Sequence, residues 1–335
     1  MSIKISVIIP IYNEEKYIKS CLESIVNSDY DKSDMEVLLI DGESQDKTLE
    51  IIQEYQKEYS FFKVLKNSKK IVPVAMNIGI KEARGEYIIR LDAHSSYPEN
   101  YFSKLIYYHH QLNATNIGGI VVTDVKNKTL KSNAIKKVLS HKFGVGNSDF
   151  RIGVKEIKEV DTVPFGCYTK ATFEQFGLYD EKLIRNQDIE LNKRIINGGG
   201  KIYLIPEVKA TYYARENFTD LAKNNFANGK WNLLTAYYTK TFNSLSLRHF
   251  IPLIFVLSLL LPLLLSWFSI KFLWIALLSL GSYLSLVIMS SLKSKDNESG
   301  FFYLVASFLT LHLSYGLGSL IGIFSVLKRV IKGKK

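Results

Sequence analysis

The first hundred residues repeat one unit: a short apolar run, a polar turn, then an amphipathic helix. That repetition limits the fold more than any other feature. Residues 5–9 read as a buried strand and 10–13 as a turn. A helix from Glu14 then places Ile18, Cys21, Leu22 and Ile25 on one face. A second strand, 36–40, ends at Asp41-Gly42, and a helix over 48–59 follows with Asp46 as its N-cap. A third strand, 62–65, leads to a helix over 74–83, and a fourth, 86–91, ends at Asp92. Strands alternating with helices imply an α/β fold with a mostly parallel sheet. Ligands of such sheets collect beyond the carboxyl ends of the strands. Here those ends carry Tyr12-Asn13-Glu14, Asp41-Gly42 and Asp92-Ala93-His94. One Asp after a strand is an ordinary turn residue. Three polar clusters at three strand ends predict a site.

The remainder divides by composition. Residues 124–158 hold nine Lys/Arg and little apolar pattern, which predicts a long, partly mobile insertion. Order returns at 161–167, a helix begins near Asp188, Gly198-Gly199-Gly200 stops it, and a strand over 201–205 follows. Residues 218–247, with Trp231, Tyr237 and Tyr238 among scattered Lys, suit a helix in a membrane interface. Three apolar segments, 251–269, 272–292 and 301–327, are each long enough for a bilayer core, which requires ~20 helical residues. The expected organisation is therefore 1–210 as an α/β domain, 211–250 as an interface segment and 251–335 as a membrane region.

Charge points the same way. From Ile251 onward there are eight Lys/Arg against two Asp/Glu, so a surplus of six, out of the chain's +11, sits beside the apolar segments. That placement favours anionic lipid headgroups and argues against nucleic acid as a partner. The short apolar run at the start is no signal peptide, which predicts a cytoplasmic first domain. The tail residues Lys328, Arg329, Lys332, Lys334 and Lys335 predict a cytoplasmic C-terminus, so one apolar segment should be re-entrant or interfacial. Cys21 and Cys167 are too few for a disulfide framework. His109, His110 and His141 lack metal-ligand spacing and are expected at the surface.

Four motifs carry a resemblance. They are Ser6-Val-Ile-Ile-Pro10-Ile-Tyr12-Asn13-Glu14-Glu15, Asp41-Gly-Glu-Ser44-Gln-Asp-Lys-Thr48, Ala75-Met-Asn77-Ile-Gly79 through Arg84-Gly-Glu-Tyr87, and Arg90-Leu-Asp92-Ala-His94. In this order the set resembles the family 2 glycosyltransferases of the GT-A fold, over about residues 3–210. Arg185-Asn-Gln-Asp188 and Leu311-His-Leu-Ser-Tyr-Gly-Leu-Gly318 look closer to the succinoglycan-type exopolysaccharide branch.

The resemblance implies an inverting enzyme. It would take sugar from a nucleotide-diphosphate donor, a UDP-sugar, with Mg²⁺ or Mn²⁺. Pro10, Tyr12, Asn13, Glu14, Asp41, Ser44, Asn77 and Asp92 would face the nucleotide. His94 holds the last place of the family's Asp-x-Asp motif, which makes Asp92 and His94 the candidate metal ligands. An imidazole there favours Mn²⁺ over Mg²⁺. Asp188 aligns with the general base that an acceptor hydroxyl needs. Gln187 stands where the family usually has Glu, and Gly166 lies in a segment near the donor sugar.

The Gln-x-x-Arg-Trp motif of processive synthases is missing at 228–231, which predicts transfer of a single sugar. The expected acceptor is a polyprenyl-diphosphate-linked saccharide of a capsule or exopolysaccharide, at a multi-pass plasma-membrane site. Polyprenyl monophosphate as acceptor and a non-catalytic scaffold that binds sugar nucleotide remain alternatives.

Overall fold

The structure is a computed structural model and describes residues 3–242 and 245–333. Lys334 and Lys335 of the basic tail lie outside the described residues. The elements run β1 (Ile5–Ile11), α1 (Ile18–Val26), β2 (Met35–Asp41), α2 (Thr48–Glu58), β3 (Phe62–Lys66), α3 (Val72–Glu82), β4 (Tyr87–Arg90), β5 (Ser95–Ser96), α4 (Tyr101–Leu112) and β6 (Asn116–Asp124). They continue α5 (Leu130–Leu139), α6 (Lys142–Val145), α7 (Asp149–Ile152), β7 (Lys158–Glu159), β8 (Cys167–Thr169), α8 (Lys170–Phe176), α9 (Gln187–Asn197) and β9 (Ile202–Tyr213). The last helices are α10 (Phe218–Thr239), α11 (Ile251–Leu265), α12 (Lys271–Ser294) and α13 (Phe301–Gly333).

The chain forms two compact units, Met1–Val122 with Asp149–Tyr213, and Thr123–Ser148 with Ala214–Lys335. In the first, the strands follow the order β3-β2-β1-β4-β8-β6-β9-β5, with β7 beside β9. The first four pair in parallel, as the repeated unit implies, and β8 turns the sheet antiparallel against both β4 and β6. Each central strand feeds two layers because its side chains alternate. Val7, Ile9, Ile11, Val37 and Leu39 pack with α1, whereas Ile8, Leu38 and Ile40 pack with α3. The face of α1 expected from its spacing, Ile18, Cys21, Leu22 and Ile25, is the buried one. Gly79 lets α3 close on β1, since a Cβ there would stand 2.5 Å from Ile8 Cγ2.

Several expectations change. β1 continues to Ile11 through Pro10, whose missing N–H costs nothing here because the β1–β4 pairing stops at Ile8. β9 runs twelve residues rather than five, its polar alternation marking a half-covered strand. Residues 124–158, expected as a partly mobile insertion with little apolar pattern, hold regular structure. They contain α5, opened by a Thr129/Ser132 capping box, with Ala134, Ile135 and Val138 buried.

The second unit is helical. α11 has only 15 residues and contains Pro262, so the expectation that each of the three segments is long enough to span fails for the first of them. α12 and α13 are long and apolar enough to cross a membrane. α10 packs along α13. A Cβ on Gly229 would overlap the Tyr315 carbonyl, and one on Gly318 the Phe226 carbonyl.

The motif from Leu311 to Gly318 serves this packing. His312 joins the Tyr283 hydroxyl and the Phe143 carbonyl, each at 3.0 Å. The Tyr315 hydroxyl accepts from the Asn232 amide at 2.7 Å.

Candidate active site

The loops after β1 and β2 are sewn together by short polar side chains. Asn13, in the left-handed region that Asn tolerates (φ 53°), donates its N–H to Ser44 Oγ at 3.0 Å and accepts from Gln45 N at 2.8 Å. Glu14 N donates to Thr48 Oγ1 at 2.8 Å and Glu15 N to Asp46 Oδ2 at 3.1 Å. Asp46 also accepts from Thr48 N and so ties both loops to the start of α2, although the N-cap position itself is Lys47 rather than the expected Asp46. Asp41 is buried at the end of β2 and accepts from the Ser44 hydroxyl at 2.6 Å and its N–H at 3.1 Å. Tyr12 stays half exposed, with the Lys70 ammonium 5.8 Å from its ring centre.

Beyond β4, the Tyr97 hydroxyl accepts from Asp92 N at 3.0 Å and donates to Asp92 O at 3.1 Å, fixing the backbone of Asp92 from both sides. Arg90, by sequence only one member of the motif at 90–94, is the hub of the site. Its guanidinium reaches Asp92 Oδ1 and Asp188 Oδ2, each at 3.4 Å. Burial alone would discourage the charge of Arg90, but Asp92 and Asp188 outweigh it and hold the group firmly protonated. One cation thus gathers a carboxylate from the end of β4 and another from the first turn of α9.

Asp188 Oδ1 also accepts from Ile189 N at 2.9 Å, and Asn186 enters the helix at φ 61°. Gln187 is buried, and its Oε1 has no hydrogen-bond partner among the described residues. Gly166 accepts from Arg90 N through its carbonyl at 3.0 Å, so it positions the hub rather than facing open space. A Cβ there would stand 2.6 Å from Asn116 Oδ1.

Two expectations need correcting. Asn77 is not placed to read a nucleotide: it is buried, donates to Tyr179 O (2.9 Å) and Glu181 Oε1 (3.2 Å), and accepts from Tyr179 N (3.0 Å). Its amide is spent holding residues 179–181. His109 is not a surface residue either. It lies buried with its ring 5.1 Å from that of Tyr87, and burial pushes it down to about 4.

His94 stands with Nδ1 3.0 Å from Glu14 Oε1, its ring edge-on to Tyr212 at 5.2 Å. Glu14 is therefore the group that orients this ring. No cluster of three or more His, Cys, Asp or Glu stands ready for a metal among the described residues. A cation held by one or two protein ligands and completed by substrate phosphates does not require one. Asp92 suits that arrangement. Its side chain is 26% exposed, and the ion pair with Arg90 is made through Oδ1.

The glycosyl transferase family 2 model matches residues 6–172, which contain the β1, β2 and β4 loops just described. A glucuronosyltransferase of Methanococcus voltae, named for transfer to dolichyl N-acetyl-alpha-D-glucosaminyl phosphate, is 37% identical over 234 residues. The match covers 67% of this chain and 71% of that one. The chain is a family 2 glycosyltransferase. The succinoglycan biosynthesis protein ExoA of Rhizobium meliloti is 28% identical over 67% of each chain.

Solved structures agree on the fold. A mannosyltransferase of Pyrobaculum calidifontis, determined with GDP-Man and Mn²⁺, superposes with a TM-score of 0.58 at 13% identity, covering 93% of this transferase and 86% of that chain. TarS of S. aureus with UDP-GlcNAc gives 0.52 at 16% identity, covering 95% and 90%. The GT-A arrangement, a mixed sheet with flanking helices, holds for this transferase.

Proposed function

We propose that the transferase moves one sugar, with inversion, from a UDP-sugar to a polyprenyl-linked saccharide in exopolysaccharide or capsule assembly at the cytoplasmic membrane surface. The observation that carries this reading is the single guanidinium of Arg90 drawing Asp92 and Asp188 together beside the β1–β2 loops. Tyr12 offers an exposed ring face for uracil, and Asp41, Asn13 and Ser44 shape the loop against which the base would lie. Asp92 would hold the divalent cation, with Glu14-oriented His94 as its second contact. When bound, that ion supplies charge neutralisation at the donor diphosphate.

Asp188 takes the proton from the acceptor hydroxyl. The oxygen then forms its bond to the anomeric carbon as the bond to the diphosphate breaks on the opposite face, and nucleoside diphosphate leaves with the electron pair. Arg90 keeps Asp188 facing Asp92 throughout. The long apolar helix α12, left almost uncovered by the rest of the protein, supports a lipid-borne acceptor, because enzyme and acceptor then meet in two dimensions. The Methanococcus relative is named for an acceptor sugar carried on one dolichyl phosphate, which favours a lipid-linked sugar over bare polyprenyl phosphate here.

The experiment is a screen of radiolabelled sugar nucleotides with the purified full chain and lipid extract. Nucleoside diphosphate release and label in the organic phase are followed together. Label that enters the lipid fraction only with added lipid-linked saccharide supports the proposal, and its release by mild acid reads the phosphate linkage. Donor binding without turnover for any nucleotide sugar would return the chain to the scaffold alternative.

A further inference from the structure

We infer that only the α11–α12 hairpin enters the bilayer, and that it returns to the side it entered from. On this account α13, despite its length, stays on that side beside α10. The inference deepens the membrane reading above and rests on it.

α11 and the first half of α12 form a hairpin. Ser258 Oγ meets Ser279 Oγ at 2.6 Å, and the rings of Phe255 and Tyr283 stand 4.0 Å apart. At 1.5 Å per residue the 15 residues of α11 reach about 22 Å, short of the ~30 Å hydrocarbon core. The tip is bare of protein: Trp267 is 91% exposed, Phe268 81% and Trp274 68%.

Both ends of the hairpin are held by one short charged segment. Lys137 pairs with Asp296 and donates to Ser294 O at 2.9 Å, beyond the end of α12. Ten residues later, Asn147 O accepts from Arg248, just before α11, at 2.7 Å. Residues 123–148 carry six Lys, and α5 spans only about 15 Å, so this segment cannot thread a hydrocarbon core. Whatever lies beside it at both ends lies on one side.

α13 is bound to α10 along most of its length. Tyr303 stacks with Phe218 at one end, Gly318 and Gly322 meet Phe226 and Lys230 in the middle, and Arg329 covers Tyr238 at the other end. Residue numbers rise together, so the helices run parallel. α10 carries Asp220, Lys223 and Lys230 together with Asn224, Asn225, Asn228 and Asn232, and no such helix suits hydrocarbon. Asn232 also donates to His249 O at 3.3 Å, which puts the middle of α10 at the mouth of the hairpin. The occupant of the exposed hairpin is therefore lipid hydrocarbon. Arg248, Lys293, Lys295, Lys328, Arg329 and Lys332 suit anionic headgroups at its rim.

The test uses the full chain in vesicles of phosphatidylcholine with phosphatidylglycerol. Single cysteines Lys126→Cys, Asn297→Cys and Lys332→Cys are each labelled with a membrane-impermeant maleimide, before and after permeabilisation. The native thiols Cys21 and Cys167 are fully buried and give the blank. All three positions should label from the same side. In a Trp231→Phe background, bromine on the acyl chains should quench Trp267 and Trp274. Lys332→Cys labelled from the side opposite Lys126→Cys would overturn the placement of α13, and Asn297→Cys on the opposite side would overturn the hairpin. Vesicle-bound protein with unquenched tryptophans, or tips crosslinked to a second copy, would overturn lipid as the occupant. Failure to bind vesicles at all would defeat the membrane reading itself.

Discussion

Arg90→Met removes the cation that Asp92 and Asp188 share and leaves two carboxylates facing each other. Each pair stands at 3.4 Å, which is about 5 kcal/mol of raw attraction at an effective dielectric near 20. Asp92 and Asp188 have 26% and 34% of their side chains exposed, so water screens much of that and rehydrates both when the guanidinium goes. The net loss should be about 2–3 kcal/mol, toward the lower end for breaking a buried pair. In a unit of this size that corresponds to a melting point lower by about 5–10 °C. A fluorogenic thiol probe reports this unit selectively, because the chain's two cysteines, Cys21 and Cys167, are both fully buried within it. Arg90→Lys keeps the charge but loses the fork and should fall between Met and wild type. Combined with Asp188→Asn, the Met variant should lose less than the two single changes sum to, by about 1–2 kcal/mol. Additivity within about 0.5 kcal/mol, or wild-type melting of Arg90→Met, would refute the hub.

The remaining predictions concern other parts of the chain. Glu36 is buried and accepts from Ser6 Oγ (2.6 Å) and from Arg84 N (2.6 Å) and Nε (2.9 Å). Burial pushes its carboxyl up, but these donors outweigh it and hold it below the ordinary 4.5. Its contribution is therefore present above 4.5 and lost as pH falls through the lowered folded value. Glu36→Gln should flatten the acid limb of stability, and an unchanged limb would contradict this. Gly229→Ala pushes a methyl into the Tyr315 carbonyl and should cost about 1–3 kcal/mol in the second unit. Tryptophan fluorescence reads that unit, since Trp231, Trp267 and Trp274 all lie there. Chelation should suppress transfer and Mn²⁺ restore it. Loss of the Glu14-oriented ring in His94→Ala should weaken apparent metal affinity about tenfold, whereas curves matching wild type would separate His94 from the metal.

What the sequence made legible was local. The runs at 5–9 and 36–40 are buried on both faces, so their apolar continuity was enough, and the spacing of Ile18, Cys21, Leu22 and Ile25 gave the covered face of α1. The motif at each strand end located Asp41, Asp92 and His94 because parallel strands present their ends together. The hub was not legible: Arg90 and Asp188 are 98 positions apart, and only the folded sheet brings them together. Asn77 misled for the same reason. A polar residue in a matching motif looks alike whether it faces a ligand or, as here, satisfies the backbone of Tyr179. α5 was hidden because only three of its buried residues, Ala134, Ile135 and Val138, are apolar, and its partners, Leu304 and Phe308, lie far along the chain. Apolar composition marked 251–269 but could not show that the helix ends at Leu265 after Pro262.

If Asp188 removes the acceptor proton, Asp188→Asn must slow transfer while leaving the donor bound. Asn preserves the size of the side chain and its acceptor oxygen toward Ile189 N at the start of α9. The measurement pairs donor binding by calorimetry with transfer to lipid-linked acceptor in a single turnover. Donor affinity should stay within about threefold of wild type and transfer should slow by about 10² to 10⁴. Transfer at near-normal rate with the donor bound would contradict it.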